Sequence, residues 1–387
     1  MLFLLPRTTP KSVRVEPVET LSRCSNLANF ANRPSTGSGR TVDSNALTRP
    51  ISFMHPSNAL FAGEKPPVSL SACDHYAGNL RFAEKALALQ QQMGPVLDIT
   101  LDLEDGAALA ETLGEEAQLA TQFAQLIASE QNQFNRIGLR VHPPHHRAFI
   151  DDLQRALSVC ADKIAYVMVP KIASANDLAN AVEAIDRITQ AAGSQRQIPL
   201  HVLIETHGAL REVFRIAAHP RVESLSFGLM DFVSAHQGAI PSAAMRSPGQ
   251  FEHPLITRAK LEISAACHAY GKVPSHNVTT EFKDTATVAG DAQRARQEFG
   301  YTRMWSIHPD QIKPIVTAFA PRASEVNDAC EILTTAGNKD WAPIEHRGQL
   351  HDRASYRYFW TVLQRAQRTG LQIPDAGRAL LTTESPA

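Results

Sequence analysis

Short apolar runs alternate with longer amphipathic segments from residue 68 onward. The short runs have the length and composition of buried strands, whereas the longer segments repeat apolar residues at the helical period of about 3.6. The predicted strands are, in chain order, residues 68–72, 96–103, 136–141, 163–170, 200–204, 224–228, 272–275 and 303–307. Amphipathic helices are predicted between them, for example at residues 77–93, 115–130, 175–192 and 254–270.

Strands that alternate with helices over about 250 residues predict an α/β fold, namely a (β/α)₈ TIM barrel. A doubly wound open sheet is the alternative fold. It is disfavoured because no glycine-rich phosphate turn follows an early predicted strand. In a barrel, the carboxyl ends of the strands carry the chemistry. The polar residues at these ends are therefore the candidates for a functional site.

The overall composition is that of an ordinary globular protein. The hydrophobic content is 43%, the charged content is 20% and the formal net charge is -1. A net charge this close to zero argues against a protein whose general role is to bind nucleic acid or a membrane surface. The five cysteines lie far apart, without the CxxC spacing of a zinc cluster. They predict reduced thiols and a cytoplasmic location.

Residues 1–53 differ from the rest of the chain, because they are rich in Pro, Ser, Thr, Asn and Arg and keep no apolar period. They predict a disordered N-terminal extension, with Met54 as the functional start. A mitochondrial presequence, which would direct the protein to the matrix, is the alternative. The acidic residues Glu16, Glu19 and Asp43 disfavour it because they spoil a basic amphipathic helix.

The remaining chain is predicted to divide into a catalytic barrel at residues 54–319 and a C-terminal helical lid or oligomerisation segment at residues 320–387. Pro321 ends the last barrel helix at this boundary. Helices are predicted at residues 325–336 and 353–368, and the second one is dense in aromatic side chains. Such side chains need burial, either against the barrel or in a subunit interface.

Two acidic residues follow consecutive predicted strands. Glu205 closes the run His-Val-Leu-Ile-Glu-Thr at 201–206, and Asp231 follows the run Ser-Leu-Ser-Phe-Gly-Leu-Met at 224–230. If the strands are parallel neighbours, both carboxylates emerge on the same rim. Hard oxygen ligands that leave coordination positions open suit Mg²⁺ better than zinc. We therefore expect Glu205 and Asp231 to share a divalent cation.

Other charged residues follow the neighbouring strands. Asp102, Glu104 and Asp105 end the second strand, Arg140 ends the third and Lys171 follows the fourth. Too many acids around one metal would repel each other, so some of the three acids are expected to hold metal-bound waters or to orient Arg140. Lys171 is expected either to pair with an acid or to bind substrate. A cation beside Arg140 can bind a 2-oxo acid and stabilise an enolate.

Together these motifs resemble the citrate lyase β-subunit-like branch of the HpcH/HpaI aldolase family, whose members include citryl-, malyl- and citramalyl-CoA lyases. The motifs are Leu-Asp-Leu-Glu-Asp-Gly (101–106), Leu-Arg-Val-His-Pro (139–143), Val-Pro-Lys-Ile (169–172), Leu-Ile-Glu-Thr (203–206), Phe-Gly-Leu-Met-Asp (227–231) and Ser-Ile-His-Pro-Asp-Gln-Ile (306–312). A weaker likeness follows at Gly-Gln-Leu-His-Asp (348–352). Each motif is weak alone, but six in this order are specific for the superfamily and not for a substrate.

The resemblance implies an Mg²⁺-dependent carbon–carbon lyase, with Mn²⁺ as an alternative metal. Residues matching Glu205 and Asp231 bind the metal, and the arginine matching Arg140 stabilises the charge on the reacting acyl group. The residue matching Asp352 moves a proton in a neighbouring subunit's site. The reaction would cleave or form a 3-hydroxyacyl-CoA, with an acyl-CoA and a 2-oxo acid as the fragments. A homo-oligomer, either a trimer or a hexamer, is implied as well.

The chain also departs from the family pattern on the substrate side. The expected Pro-Gly-Ser after the first strand is replaced by residues 71–76, so the glycine turn is predicted to be absent. His142 stands where the family has Asn, and the last strand has Arg303-Met304 instead of Gly-Lys, with Arg303 as a substitute charge. Strand seven runs into Ser-His-Asn (275–277) where an Asp is common. CoA specificity is therefore left open.

Because of these departures, two other functions remain as alternatives. One is a class II-type aldolase that acts on a free 4-hydroxy-2-oxo acid without CoA, with His142 or His276 as the base. The other is a non-catalytic relative that binds an acyl-CoA or an oxo acid. A thioesterase that acts after condensation would reveal itself by release of a free thiol without an oxo acid.

Overall fold

A computed structural model describes residues 54–107 and 113–382. The predicted N-terminal extension at residues 1–53 therefore lies outside the described residues. The strands are β1 (Cys73–Ala77), β2 (Leu97–Asp102), β3 (Ile137–Arg140), β4 (Val167–Val169), β5 (Leu200–Ile204), β6 (Val222–Phe227), β7 (Val273–His276), β8 (Arg303–Ser306), β9 (Ile344–His346) and β10 (Gln349–His351). The helices are α1 (Pro56–Phe61), α2 (Leu80–Met93), α3 (Leu113–Ala128), α4 (Phe149–Cys160), α5 (Ala175–Ala191), α6 (His207–Arg211), α7 (Val213–Ala217), α8 (Leu229–Ser234), α9 (Pro254–Ala269), α10 (Thr285–Phe299), α11 (Pro309–Phe319), α12 (Ala323–Gly337), α13 (Arg353–Arg368) and α14 (Asp375–Thr382).

The first eight strands form a closed parallel barrel in sequence order, and β1 pairs with β8 to complete it. Parallel neighbours require crossover connections, and helices lie in all of these connections. Because every strand runs in the same direction, their carboxyl ends meet on one rim. The predicted (β/α)₈ TIM barrel is confirmed.

The main hydrophobic core lies between the strands and the surrounding helices. It contains fully buried side chains from both layers, such as Ile99 of β2, Val202 of β5 and Ile263 of α9. A smaller aromatic cluster fills the inside of the barrel, where Tyr166 and Trp305 are members. The barrel is therefore a packed scaffold, which leaves the rim as the place for a site.

The first strand lies later in the chain than the sequence predicts. The prediction of a strand at 68–72 is wrong, because β1 spans Cys73–Ala77. Its polar residues Asp74 and His75 obscure the strand in the sequence, because their partners are distant along the chain. Asp74 pairs with Arg303, and the His75 ring lies 2.7 Å from the Ser306 hydroxyl. Gly78 follows β1 directly, so the predicted loss of the glycine turn is wrong as well.

Arg303 does not supply a charge to the rim. It opens β8 at the amino-terminal end of the barrel, is fully buried, and pairs with Asp74 at 3.0 Å and with Asp98. Asp98 also pairs with Arg136 at 2.8 Å. Burial acts against ionisation of Asp98, but these two guanidinium groups hold its pKa at about 2. This cluster is a buried ion-pair network on the face opposite to the rim, so the predicted substitute charge is wrong.

The C-terminal segment has its own hydrophobic core, formed mainly by α12, α13 and α14. Leu60 and Phe61 of α1 join this core, so α1 packs with the C-terminal segment although the sequence analysis assigns it to the barrel. The second half of α13 packs near the residues before β1 and β8, where Gln364 and Thr361 lie beside Leu70 and Thr302. None of the described helices is long and apolar enough to cross a membrane.

Candidate active site

A cavity of about 210 Å³ opens where the carboxyl ends of the strands meet. Arg140, Asp105, Glu205 and Asp231, which the sequence analysis predicts as site residues, all line it. The other predicted residues, Asp102, Glu104 and Lys171, contact these four side chains directly. The rim therefore brings together every predicted site residue except Asp352.

Arg140 is held by two acids, Asp102 at the end of β2 and Glu104 in the loop that follows it. Its Nε and Nη2 donate to the two carboxylate oxygens of Asp102 at 2.6 and 2.5 Å, and its Nη1 lies 3.0 Å from Glu104. Gly106 makes this pairing possible, because a Cβ there would overlap the Asp102 carboxylate. Burial lowers the pKa of Arg140, but Asp102 raises it further, and the net shift is upward. Arg140 is thus a fixed, permanently charged cation.

Lys171 contacts acids that follow different strands of the rim. Its Nζ lies 2.5 Å from Glu104, 2.7 Å from Asp105 and 3.8 Å from Asp231. Its backbone N–H donates to Glu205 Oε1 at 2.7 Å, and its φ of 51° is in the left-handed region that side chains other than glycine seldom adopt. This unusual backbone conformation positions the donor to the Glu205 carboxylate.

Glu205 and Asp231 form the acidic pair of the cavity. Glu205 follows β5 and is buried, whereas Asp231 lies in the first turn of α8 and is half exposed. Burial and then the charge of Asp231 raise the pKa of Glu205 to about 8. Gly228, just before α8, packs so closely on Glu205 that a Cβ would overlap its side chain. The two carboxylates therefore sense each other strongly, as ligands of one cation would.

A divalent cation fits this donor set. Burial, and then the charge of Asp231, favour the protonated form of Glu205, so this pair of carboxylates gains from a bound positive charge. Carboxylates are hard ligands, and two of them leave open coordination positions, as Mg²⁺ sites with bound substrate require. Glu205 and Asp231 are the residues that would hold the ion.

A second group of metal-ligating atoms lies in the C-terminal segment. Asp328, Glu331 and His346 have ligand atoms within 4.8 Å of one another. Arg347 already pairs with Asp328 at 2.6 Å and with Glu331 at 2.8 Å. Because this guanidinium already neutralises both carboxylates, we assign the group to an ion-pair cluster.

Asp352 caps α13. Its carboxylate accepts from the backbone N–H groups of Ala354 and Ser355 at 3.0 and 3.3 Å, and the Ser355 hydroxyl completes a capping box. The side chain is exposed, and its hydrogen bonds in the described part of the chain go to its own helix and not to the rim. The structure therefore gives Asp352 a capping role within one chain, and its catalytic role stays a prediction.

The two histidines of the aldolase alternative are both engaged. The Nδ1 of His142 lies 2.7 Å from Asp152, whose carboxylate also accepts from the His142 backbone N–H. His276 is fully buried and its ring stacks on Phe251 with 5.3 Å between the centroids. Burial lowers the pKa of His276 well below its usual value. His276 is thus a poor base for a reaction in the cavity.

Asn277 and Trp305 also line the cavity and are not among the predicted site residues. Asn277 directly follows β7 and Trp305 lies in β8. The rule that rim residues sit at strand carboxyl ends would have found Asn277. Nothing in the sequence indicates that Trp305 faces the inside of the barrel, where it stacks on Tyr76 at 4.6 Å.

The sequence matches proteins with named activities. The family model described as HpcH/HpaI aldolase/citrate lyase matches residues 84–309. An L-malyl-CoA/beta-methylmalyl-CoA lyase of Cereibacter sphaeroides is 26% identical over an alignment of 317 residues, which covers 78% of this chain and 96% of the relative. A (3S)-malyl-CoA thioesterase of the same species is 26% identical over 244 residues, which are 62% of this chain and 76% of the relative.

Solved structures match as well. A citrate lyase from Burkholderia xenovorans LB400 is 55% identical with a TM-score of 0.72, over 84% of this chain and 99% of that one. The protein CitE from Mycobacterium tuberculosis, in complex with magnesium, acetoacetate and coenzyme A, is 20% identical with a TM-score of 0.57, over 77% and 99% of the two chains. At that identity the second match shows the fold alone. The resemblance read from the motifs is confirmed, and the chain belongs to the HpcH/HpaI aldolase/citrate lyase family of carbon–carbon lyases.

Proposed function

We propose that the protein is an Mg²⁺-dependent lyase that cleaves or forms a 3-hydroxyacyl-CoA, such as malyl-, citramalyl- or citryl-CoA. The products of cleavage are an acyl-CoA and a 2-oxo acid. The observation that carries this proposal is the acidic pair Glu205 and Asp231 beside the buried cation Arg140 in one cavity. The names of the CoA ester lyases that resemble the chain support the substrate class.

Cleavage needs three events at the substrate. The hydroxyl group on C3 loses its proton, the bond between C2 and C3 breaks, and the electron pair stays on the acyl-CoA carbon as an enolate. A proton then returns to that carbon. When bound, Mg²⁺ would act as a Lewis acid toward the carboxylate and oxygen of the 2-oxo acid.

Arg140 would stabilise the negative charge of the enolate. Asp102 holds its guanidinium in a fixed plane through two hydrogen bonds, so little reorganisation is needed when the negative charge develops. The centre of the Tyr76 ring lies 5.3 Å from the same guanidinium, and the ring presents an apolar surface beside it. Lys171 and Glu104 complete the support, because Glu104 contacts both cations.

Asp352 is the candidate for the group that returns the proton to carbon. Part of α13 packs on the face of the barrel opposite to the rim, so we assign Asp352 to the active site of a second copy of the chain. There it would close over the substrate and move the proton. A homo-oligomer follows from this assignment, and the family resemblance favours a trimer or a hexamer.

The test is a substrate panel with the full chain. Malyl-CoA, citramalyl-CoA, citryl-CoA and free 4-hydroxy-2-oxo acids are incubated with Mg²⁺, and oxo acid, acyl-CoA and free thiol are measured. We expect oxo acid from at least one CoA ester. Turnover of the free acids would favour the aldolase, and no turnover with retained binding would favour a non-catalytic relative.

Metal removal and metal-ligand variants test the Mg²⁺ requirement. Glu205→Gln and Asp231→Asn keep the shape and remove one anionic ligand each, so Mg²⁺ affinity and turnover are expected to collapse while the melting temperature is kept. Glu298→Gln, at an exposed acid of α10, is the matched control and should leave both unchanged. Full activity after exhaustive EDTA treatment would refute the requirement for a metal.

A thioesterase is the second candidate, since a (3S)-malyl-CoA thioesterase is among the relatives. Hydrolysis of the thioester gives a free thiol and the intact hydroxy acid. Thiol release without oxo acid in the panel would therefore identify this activity, and thiol release together with oxo acid would indicate both steps.

A further inference from the structure

Two buried polar atoms at the cavity wall have no hydrogen-bond partner within the described part of the chain. They are Oδ1 of Asn277 and Nε1 of Trp305. Both residues line the same cavity as Arg140 and Glu205, and they are 2% and 9% exposed. Buried polar groups in folded proteins are paired as a rule, so two such atoms at one cavity indicate groups that a ligand satisfies.

The neighbours of Asn277 fix the orientation of its amide. Its Nδ2 donates to the backbone carbonyl of Val278 at 3.0 Å and to Oε1 of Gln250 at 2.8 Å. A carbonyl oxygen can accept but cannot donate, so the amide nitrogen must face these two atoms. The acceptor Oδ1 is consequently the end that is left for another partner.

Gln250 is fixed in turn by groups that lie deeper in the protein. Its Nε2 donates to the carboxylate of Asp291 at 2.9 Å, and its Oε1 accepts from Lys260 Nζ at 3.1 Å. Asp291 accepts from Thr279 as well, at 2.7 Å. The hydrogen bonds to Gln250 Oε1 have one possible direction, since a carbonyl oxygen only accepts, and the network reaches Asn277 at Nδ2, which leaves Oδ1 without a partner. The network therefore presents a defined acceptor at the cavity.

Trp305 presents the opposite polarity. An indole N–H can donate and cannot accept. The Trp305 ring stacks on Tyr76 at 4.6 Å, and Tyr76 in turn lies against Arg140, so the indole is held in the wall next to the fixed cation. Its position in β8, beside β7, puts it on the same side of the barrel as Asn277.

We propose that Asn277 and Trp305 determine specificity by binding the hydroxyl group of the substrate, which accepts from Trp305 and donates to Asn277. A hydroxyl both donates and accepts, whereas an oxo oxygen can accept but cannot donate. The inference rests on the proposed function, in which the hydroxyl belongs to the intact substrate and the oxo group to the product. Asn277 then distinguishes substrate from product.

Two probes that differ by this feature test the proposal. Lactate (both enantiomers) and pyruvate share a carbon skeleton, and their dissociation constants are measured by calorimetry on the full chain with saturating Mg²⁺. In Asn277→Leu we expect lactate binding to weaken about five- to tenfold, the typical effect of one lost hydrogen bond, and pyruvate binding to change less than about twofold. In Trp305→Phe we expect both acids to bind more weakly, because both can accept from the indole.

Trp341→Phe is the matched control, because Trp341 lies in the C-terminal segment, away from the cavity, and its indole N–H donates to the Met54 carbonyl. It should leave both dissociation constants unchanged. Mg²⁺ binding and the melting temperature report whether each variant is folded. Asn277→Ser, which keeps a hydroxyl but loses the reach of the amide, replaces Asn277→Leu if the latter does not fold.

An unchanged ratio of lactate to pyruvate affinity in a folded Asn277 variant would overturn the proposal, and so would a wild-type protein that does not bind lactate. A failure of the proposed lyase function looks different, because it appears as no turnover in the panel of CoA esters. The binding ratio and the turnover are thus separate readouts.

Discussion

The proton on Glu205 decides whether the acidic pair of the cavity carries one or two negative charges. Burial and the nearby Asp231 carboxylate raise the pKa of Glu205 to about 8. Near neutral pH most of the molecules therefore keep this proton. A cation that binds both carboxylates must displace it, and the group then ionises.

Mg²⁺ binding is expected to depend on pH for this reason. The anionic form of Glu205 binds the metal, so the affinity should rise about tenfold per pH unit from pH 6 to 8 and level off above pH 8. Calorimetry in buffers with different ionisation enthalpies would detect about one proton released per metal at pH 7. An affinity that is flat over this range would contradict the pKa of Glu205.

The element that supports Glu205 most closely is the turn between β6 and α8. Gly228 lies in this turn, against the Glu205 side chain. Lys171, after β4, is the other support, since its N–H binds the same carboxylate from a left-handed backbone. The position of the ligand is thus set by two turns, and neither supplies a metal ligand of its own.

Gly228→Ala should weaken the site without removing a charged group. The new methyl would force Glu205 to move, and displaced supports of metal ligands typically cost about 10- to 100-fold in affinity. Gly290→Ala is the matched control: this glycine lies inside α10 with open space around it, so the variant should keep Mg²⁺ binding and gain up to about 1 kcal/mol in stability. Equal Mg²⁺ affinities in both variants would show that the turn does not position Glu205.

Sequence reasoning works for elements whose pattern is local. The prediction for β5 at 200–204 is confirmed with the same bounds, because an apolar strand ending in an acid is visible in the sequence. The prediction for β1 fails because its polar residues are satisfied by Arg303 and Ser306, more than 200 positions away along the chain. The free acceptor on Asn277 is equally hidden, since Gln250 sets its orientation from 27 residues earlier. Long-range polar pairing leaves no local pattern to read.

At the scale of the whole molecule, the end of α13 lies near the face of the barrel opposite to the rim. Arg368, near this end, senses Asp98 and Arg136 of the network on the amino-terminal face. Asp352 lies at the other end of this helix, about 24 Å away at 1.5 Å per residue. Its carboxylate is exposed, and its hydrogen bonds in the described part of the chain stay within α13, so we propose that a catalytic Asp352 acts on a partner chain.

Asp352→Asn tests this requirement. Asn caps a helix about as well as Asp, so stability should be kept in either case. If Asp352 moves the proton, turnover should fall about 10²- to 10⁴-fold. Mixing this variant with Arg140→Ala should then restore part of the activity, because some assemblies combine an intact rim with an intact Asp352. Full activity of Asp352→Asn alone would leave the helix cap as its sole role.

The N-terminal extension can be tested by removing it. Residues 1–53 keep no apolar period in the sequence, so a chain that starts at Met54 is expected to keep its melting temperature and turnover. Differential scanning calorimetry and the substrate panel are the measurements. A large loss of either property would assign the extension a place in the core or in an interface.

The charges around the cavity do not cancel, and this imbalance affects the order in which ligands can bind. Five carboxylates of the described rim face two cationic side chains, which leaves three negative charges when all the acids are ionised: the acids are Asp102, Glu104, Asp105, Glu205 and Asp231, and the cations are Arg140 and Lys171. An anionic oxo acid is repelled from such a site. A bound divalent ion lowers this excess to one negative charge and offers open coordination positions to the oxygens of the acid. Catalysis would therefore follow a compulsory sequence, with the metal first and the acid second.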